Sequence, residues 1–269
     1  MPLSLSTVSL TVPATSKMSR SSRYVGLSLA RRWMQDLLHF GMKSMVVGGT
    51  TSIQVAVVAE ARRRHQPLIS WAALLIKAIA LTSKKWPELR RAYMPFPWPH
   101  LYEHPHSVGT FVLERDWRNE PAVFFDQVPK PEEKSLQEIE YLLHGMKQAK
   151  IESLGGYRRL IRITKYPLPL RRLIWRVGLQ GSGRLRARYF GTFSINTMVS
   201  RRLHTTQSTT PLTLSFFYGP ARRNGEMPLQ AFFDHRVVDG STVHRIVADL
   251  QTILNREIVA ELNMSRSNK

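Results

Sequence analysis

The residues of this chain best suited to chemistry are His235 and Asp239, held in the stretch Asp234-His235-Arg236-Val237-Val238-Asp239-Gly240. An imidazole titrates near neutral pH and can take and return a proton, which makes His235 the candidate general base. Gly240 gives the turn freedom to place it. Asp239 reads as a structural acid that pairs with an arginine from elsewhere, and Arg236 has a similar structural role. His100, His104 and His106 lie within seven residues. They sit in a proline-rich link without an acid cluster at coordinating spacing, so no metal site is expected. Gly181-Ser182-Gly183 lacks the lysine and threonine that follow in a phosphate loop and reads as a turn. The chain has no cysteine, which excludes disulfides, thiolate nucleophiles and cysteine metal sites.

Elements must bring these residues to a cleft. An extended apolar run over 227–233 leads into His235, and the spacing of Val243, Ile246, Val247 and Leu250 predicts a helix over 241–255. Upstream, the pattern predicts a helix over 28–40, a strand over 51–59, and a long helix over 69–85 broken only by Lys77. A link over 94–106 precedes paired strands over 108–113 and 121–125 around a turn at 116–120. Ser135, with Glu138 three residues on, opens a helix over 134–147. Strands follow over 191–196, 212–218 and 229–233. Residues 1–22 read as an irregular arm and 23–269 as one domain, within the usual size range.

The heptad resembles the active-site signature of the dihydrolipoamide acyltransferase component of 2-oxo acid dehydrogenase complexes. Its His-x-x-x-Asp-Gly core is shared with chloramphenicol acetyltransferase and related coenzyme A-dependent acyltransferases. Other stretches are similar to that family in the same order: 69–81 running to Trp86-Pro87-Glu88-Leu89, Asn119-Glu120-Pro121-Ala122-Val123 before Lys134-Ser135-Leu136-Gln137-Glu138-Ile139, and Gly191-Thr192-Phe193-Ser194-Ile195-Asn196. The resemblance covers roughly 21–256. It implies an α/β two-layer sandwich with a mixed sheet, and a homotrimer or multiple of three whose active sites lie between neighbouring subunits. It also implies acyl transfer from a coenzyme A (or carrier-bound) thioester, with neither a metal nor a covalent enzyme intermediate. A hydroxyl at the end of the Gly-Thr-Phe strand stabilises the oxyanion in that family. Here the position falls on Asn196, with Ser194 and Thr197 as hydroxyl neighbours, and an amide N–H can donate in its place. No lipoyl-bearing domain is expected on this chain, so a separate lipoyl or acyl carrier protein is a candidate partner. The asparagine also leaves open an inactive scaffold that keeps the fold and binds a membrane surface or an acidic protein.

A second departure from the family is a basic insertion at about 155–188. The chain carries a net charge of +20, and between Lys147 and Phe190 twelve Lys or Arg face one acid, Glu152. Such a block implies an anionic partner. Placed on a helix, 168–179 puts Leu170, Leu173, Ile174 and Val177 on one face. Arg171, Arg172 and Arg176 fall on the other, with Trp175 at the border. That is the pattern of an in-plane membrane anchor or of a surface that docks an acidic acyl carrier or lipoyl protein. A nucleic-acid role is disfavoured, because the segment matches no known binding motif and carries aliphatics at helical spacing. The whole chain has ordinary globular composition, 43% hydrophobic and 22% charged. No run of eighteen apolar residues and no secretory signal is evident, so a cytoplasmic protein, peripheral to the membrane through this insertion, is expected.

Overall fold

The alternating apolar segments at the two ends of the chain meet in one mixed sheet, as a computed structural model describing residues 26–41, 46–197 and 210–267 shows. The predicted arm at 1–22 lies outside the described residues. In chain order, α1 (Leu29–Gly41) precedes β1 (Val46–Gln54), α2 (Ala56–Arg64) and α3 (Trp71–Lys85). A small hairpin, β2 (Arg91–Met94) and β3 (His100–Glu103), occupies the proline-rich link. Next come β4 (Val108–Trp117), β5 (Glu120–Pro129) and α4 (Leu136–Gln148). The basic segment forms α5 (Gly155–Thr164), α6 (Leu168–Arg176) and α7 (Gly183–Phe190). The chain continues through β6 (Phe193–Thr197), β7 (Leu214–Tyr218), β8 (Glu226–Asp234), α8 (Gly240–Ile253) and α9 (Val259–Ser267). The six-stranded sheet runs β1-β8-β7-β6-β4-β5. β6 lies parallel to β4 and to β7, and the other pairs are antiparallel.

The core lies between one face of this sheet and α3. Nearly every residue of α3 is buried, and Ser70 caps it by accepting a hydrogen bond from the Ala73 N–H at 3.3 Å. Lys77, the charge inside that apolar run, donates to the Lys134 carbonyl and faces Glu261 at 3.7 Å, so its ammonium is paired. Ser135 and Glu138 form a complete capping box on α4. The strands β4 and β5 are longer than their apolar cores. Arg118 and Asn119, with φ of 54° and 62°, close them in a two-residue turn rather than the five-residue turn expected at 116–120.

The predicted strand over 51–59 is corrected to a strand that stops at Gln54 and a helix that starts at Ala56. Val55 to Ala59 reads locally as strand because it is β-branched and apolar. Tertiary partners override this: Gln251 accepts from the Gln54 N–H at 2.7 Å, and Val58 and Ala61, at helical spacing, are both buried.

The basic insertion folds against the sheet, and two residues of its middle helix expected at the surface, Arg171 and Trp175, are buried. α5 covers the edge strand β5, with Tyr157 packed edge-on to Phe124 at 4.4 Å and Trp117 at 5.4 Å. α7 packs on the opposite face of the sheet from α3, where Thr110 donates to the Phe190 carbonyl and the Phe190 ring lies 5.6 Å from Phe125. Between them, α6 turns Arg171 and Trp175 inward. Arg171 forms a buried ion pair with Asp36 of α1, and Trp175 packs on Phe190 at 5.6 Å. Leu170, Leu173 and Val177, the apolar face read from the sequence, are exposed, Leu173 at 57%. The reason is that Asp36 and Phe190 offer one arginine and one large ring a site, and the leucines of α6 have no comparable partner. Arg172 and Arg176 remain on the surface, as expected.

Candidate functional site

The turn after β8 is built from its own sequence. Asp234 is fully buried; its carbonyl accepts from the N–H groups of Val237 (2.9 Å) and Val238 (3.2 Å), which folds the chain back toward α8. Its carboxylate takes a bidentate grip from Arg236, Nε at 2.8 Å and Nη2 at 2.6 Å, and also accepts from the Arg236 N–H at 3.1 Å. The Arg236 guanidinium lies over the Tyr93 ring at 4.4 Å, and its hydrogen bonds to Asp234 make the guanidinium hold its proton more tightly than usual. Beside it, Arg186 donates to the Tyr93 carbonyl at 2.9 Å, and burial brings its pKa down to about 10. This clamp was only half legible in the sequence: Arg236 is structural, as expected, but its acid is Asp234.

With the turn fixed, His235 projects half-exposed, at 50% of its side chain, with Nδ1 3.4 Å from Oδ1 of Asp239. Asp239 was expected to pair with an arginine; among the described residues its partner is instead His235. Asp239 is also the residue before α8, yet its side chain makes no capping bond to the helix. A carboxylate beside Nδ1 favours the tautomer protonated there, which leaves Nε2 as the acceptor nitrogen. The Phe233 ring, 6.0 Å from the imidazole, forms a wall of a cavity of about 470 Å³ between β1 and α8. Gly240, Val243 and His244 line it on the helix side, and β1 from Val47 to Ile53 lines it on the strand side.

The residues expected at the oxyanion position are not beside His235. Asn196 pairs in register with Phe217 of β7, and Phe217 with Gln230 of β8. His235 lies five residues further along, so the two groups are about 16 Å apart along the strand direction. Asn196 donates to Ser194 Oγ (3.3 Å) and to the Phe216 carbonyl (3.4 Å), and Ser194 is 2.9 Å from Ser215 Oγ. All three are buried, while Thr197, on the other face by strand alternation, is exposed. The sheet thus offers a histidine past the end of β8 and a separate polar cluster on β6 and β7, level with the middle of β8. Ser215 belongs to that cluster, and Gln230, on the far side of Phe217, donates to Thr50 of β1 at 3.4 Å; both went unnoticed in the sequence, and the alternation of β7 and β8 is the signal that could have found them. The expected surface residues Arg172 and Arg176 are exposed, whereas Arg171 and Trp175 belong to the interior. Among the described residues no group of three His, Asp or Glu side chains is arranged to hold a metal ion.

No family model matches the sequence, and no curated protein matches it. Solved structures do match in shape. The dihydrolipoamide acetyltransferase of Azotobacter vinelandii superposes with a TM-score of 0.65 at 16% identity, over 94% of this chain and 99% of that one. The cubic core of a pyruvate dehydrogenase multienzyme complex gives 0.61 at 16% identity, again over 94% and 99%. A chloramphenicol acetyltransferase gives 0.52 at 11% identity, over 85% and 98%. The chain, with its mixed six-stranded sheet, therefore has the fold shared by dihydrolipoamide acetyltransferase catalytic cores and chloramphenicol acetyltransferase.

Proposed function

We propose that this acyltransferase-fold chain moves an acyl group from a coenzyme A or carrier-bound thioester to a nucleophilic acceptor, with His235 as general base. The observation that carries the reading is the His235–Asp239 pair at the end of β8, beside the cavity walled by Phe233. Nε2 takes the proton of the acceptor, whose heteroatom attacks the thioester carbonyl; the C–S bond breaks as the oxyanion collapses, and the imidazolium returns its proton to the departing thiolate. The apolar walls of the cavity, Val47, Ala231, Val243 and Val247, suit an acyl or pantetheine chain. In the Azotobacter enzyme a serine, a histidine and an asparagine figure in the catalytic mechanism, the asparagine following the histidine at the spacing at which Asp239 follows His235.

The separation of His235 from Asn196, about 16 Å along the strand direction and two strands across, supports a site completed between subunits, with the histidine of one chain facing the Ser194–Asn196–Thr197 strand end of the next. A trimer or multiple of three, as in the cubic-core relative, would supply that arrangement. Thiol release from acetyl-coenzyme A tests it. His235→Ala should lose on the order of a hundredfold to ten-thousandfold in turnover, the usual range for a general base. Asn196→Ala should also lose activity. If the two variants are co-expressed, roughly a quarter of the sites would combine an intact histidine with an intact asparagine, and activity should return. A parent-level His235→Ala removes the base, and the absence of any recovery removes the shared site.

The exposed face of α6 supports docking on an anionic membrane surface. Leu168, Leu170, Leu173 and Val177 are exposed, Phe96 and Trp98 are likewise exposed, Trp98 at 67%, and Phe96 and Val177 both border Gly181. Arg172 and Arg176 flank them. Aromatic and aliphatic side chains beside arginines are the composition of an interfacial anchor, each basic group adding about 1 kcal/mol near an anionic surface. Sedimentation with phosphatidylserine vesicles should fall with salt and with Leu173→Glu. Binding to an acidic carrier protein alone, or loss of the trimer in Leu173→Glu, would reassign this face.

A further inference from the structure

We propose that the cavity enclosed by the β3–β4 loop, the end of β5 and the basic helices α5 and α7 is a binding site for a phosphate-bearing anion. The cavity measures about 500 Å³, and Tyr102, His104, His106, Arg159, Arg184 and Arg188 supply its polar walls, with no acid among its lining residues. These groups converge from separate parts of the chain: Arg159 stands on α5, Arg184 and Arg188 one turn apart on α7, and the histidines follow β3.

Two observations separate this site from a merely solvated basic face. First, the three guanidinium groups, exposed on two separate helices, border one cavity whose lining holds no acid, and none makes a hydrogen bond or ion pair with a described residue. Arg184 and Arg188 stand four residues apart on one helix, a like-charge spacing that costs stability unless something neutralises it. Second, the wall is rigidly built. An added Cβ at Gly183 would collide with the Tyr102 ring at 2.1 Å, so α7 can begin there only because residue 183 is glycine. The Tyr102 hydroxyl is 3.1 Å from Nδ1 of His104, the His104 and His106 rings meet edge-on at 4.7 Å, and Gln127 ties β5 to the Ala187 carbonyl of α7. The field in the cavity is felt by His104, whose pKa is pushed down to about 4, by burial first and then by the positive charge of His106, Arg184 and Arg90. Guanidinium forks present paired N–H donors that match tetrahedral oxyanions, and a positive field in a partly enclosed space favours a multiply charged one.

The site is distinct from the His235 turn. Val108, in its wall, lies level with the end of β8 but three strands away, about 14 Å. Two sources share the required chemistry: a free phosphorylated small molecule or diphosphate, and the phosphorylated end of coenzyme A.

Calorimetric titration of the full chain with pyrophosphate is the test. One site per chain is expected, weakened by about tenfold or more in Arg184→Ala/Arg188→Ala, since each charge-assisted bond lost is of that order. Arg172→Ala/Arg176→Ala removes the same charge from α6 and should bind like the parent. Arg159→Ala, on a different helix, provides the same reading should the α7 variant fail to fold. Displacement of pyrophosphate by coenzyme A assigns the coenzyme as the source; its absence assigns a free phosphate compound. His235→Ala should bind with parent affinity, so the site stands or falls apart from the acyl-transfer reading. No binding, more than one site per chain, or equal weakening in the α6 control would overturn the proposal.

Discussion

Replacing Arg236 with alanine tests whether the clamp on Asp234 is what holds the His235 turn. The substitution deletes two charge-assisted bonds, at 2.8 and 2.6 Å, to a carboxylate with no exposure to solvent. It also removes the guanidinium from the face of Tyr93. What remains at Asp234 is the backbone N–H of residue 236 at 3.1 Å and the through-space attraction of Arg186. A buried charge stripped of its partner typically costs about 3–5 kcal/mol. In a chain of this size each kcal/mol lowers the melting temperature by roughly 2–4 °C, so Arg236→Ala should melt about 6–20 °C below the parent by scanning calorimetry. Removing the acid as well, in Asp234→Ala/Arg236→Ala, takes away the uncompensated charge and should recover part of that loss. Thioester turnover measured well below either melting point should still fall in Arg236→Ala, because the turn that aims His235 has lost its anchor. A single variant that melts within about 1 kcal/mol of the parent, or a double variant less stable than the single, would refute the argument.

Two further expectations rest on individual positions. Gly191 has φ of 84°, and an added Cβ would sit 2.6 Å from the Val108 carbonyl, so Gly191→Ala should cost on the order of 1–3 kcal/mol from the backbone alone, read by chemical denaturation. His104 binds its proton less tightly in the fold, near 4, than in the unfolded chain, near 6.5, so between those values the unfolded state holds more protons. Its contribution to stability is therefore present above pH 6.5 and declines as the pH falls toward 4, by at most about 1.4 kcal/mol per pH unit. His104→Gln should flatten that part of the profile of melting temperature against pH; an unchanged slope would assign it to other groups.

What the sequence by itself determined lies where a signal is local and periodic. The helical spacing of 69–85, the Ser135–Glu138 box and the apolar run into His235 each specify an element through contacts within a few residues, and each is found as expected. The order of these segments together with the heptad likewise pointed to the fold. Tertiary structure decided what depends on partners distant in the chain. Residues 56–59 carry strand-forming side chains but become helix, because Gln251 of α8, nearly two hundred residues away, takes the N–H of Gln54 where the strand ends. The face that α6 buries was set by Asp36 and Phe190, which the pattern of 168–179 cannot encode; hydrophobicity alone therefore put Arg171 on the polar face and Trp175 at the border, and both are buried. The same holds for the candidate site. His235 was visible as a residue, but the choice of Asp234 as the partner of Arg236, the nearness of Asp239 to the imidazole, and the separation of Asn196 from both are matters of register. Register is fixed by which strands pair, and sequence spacing does not carry it.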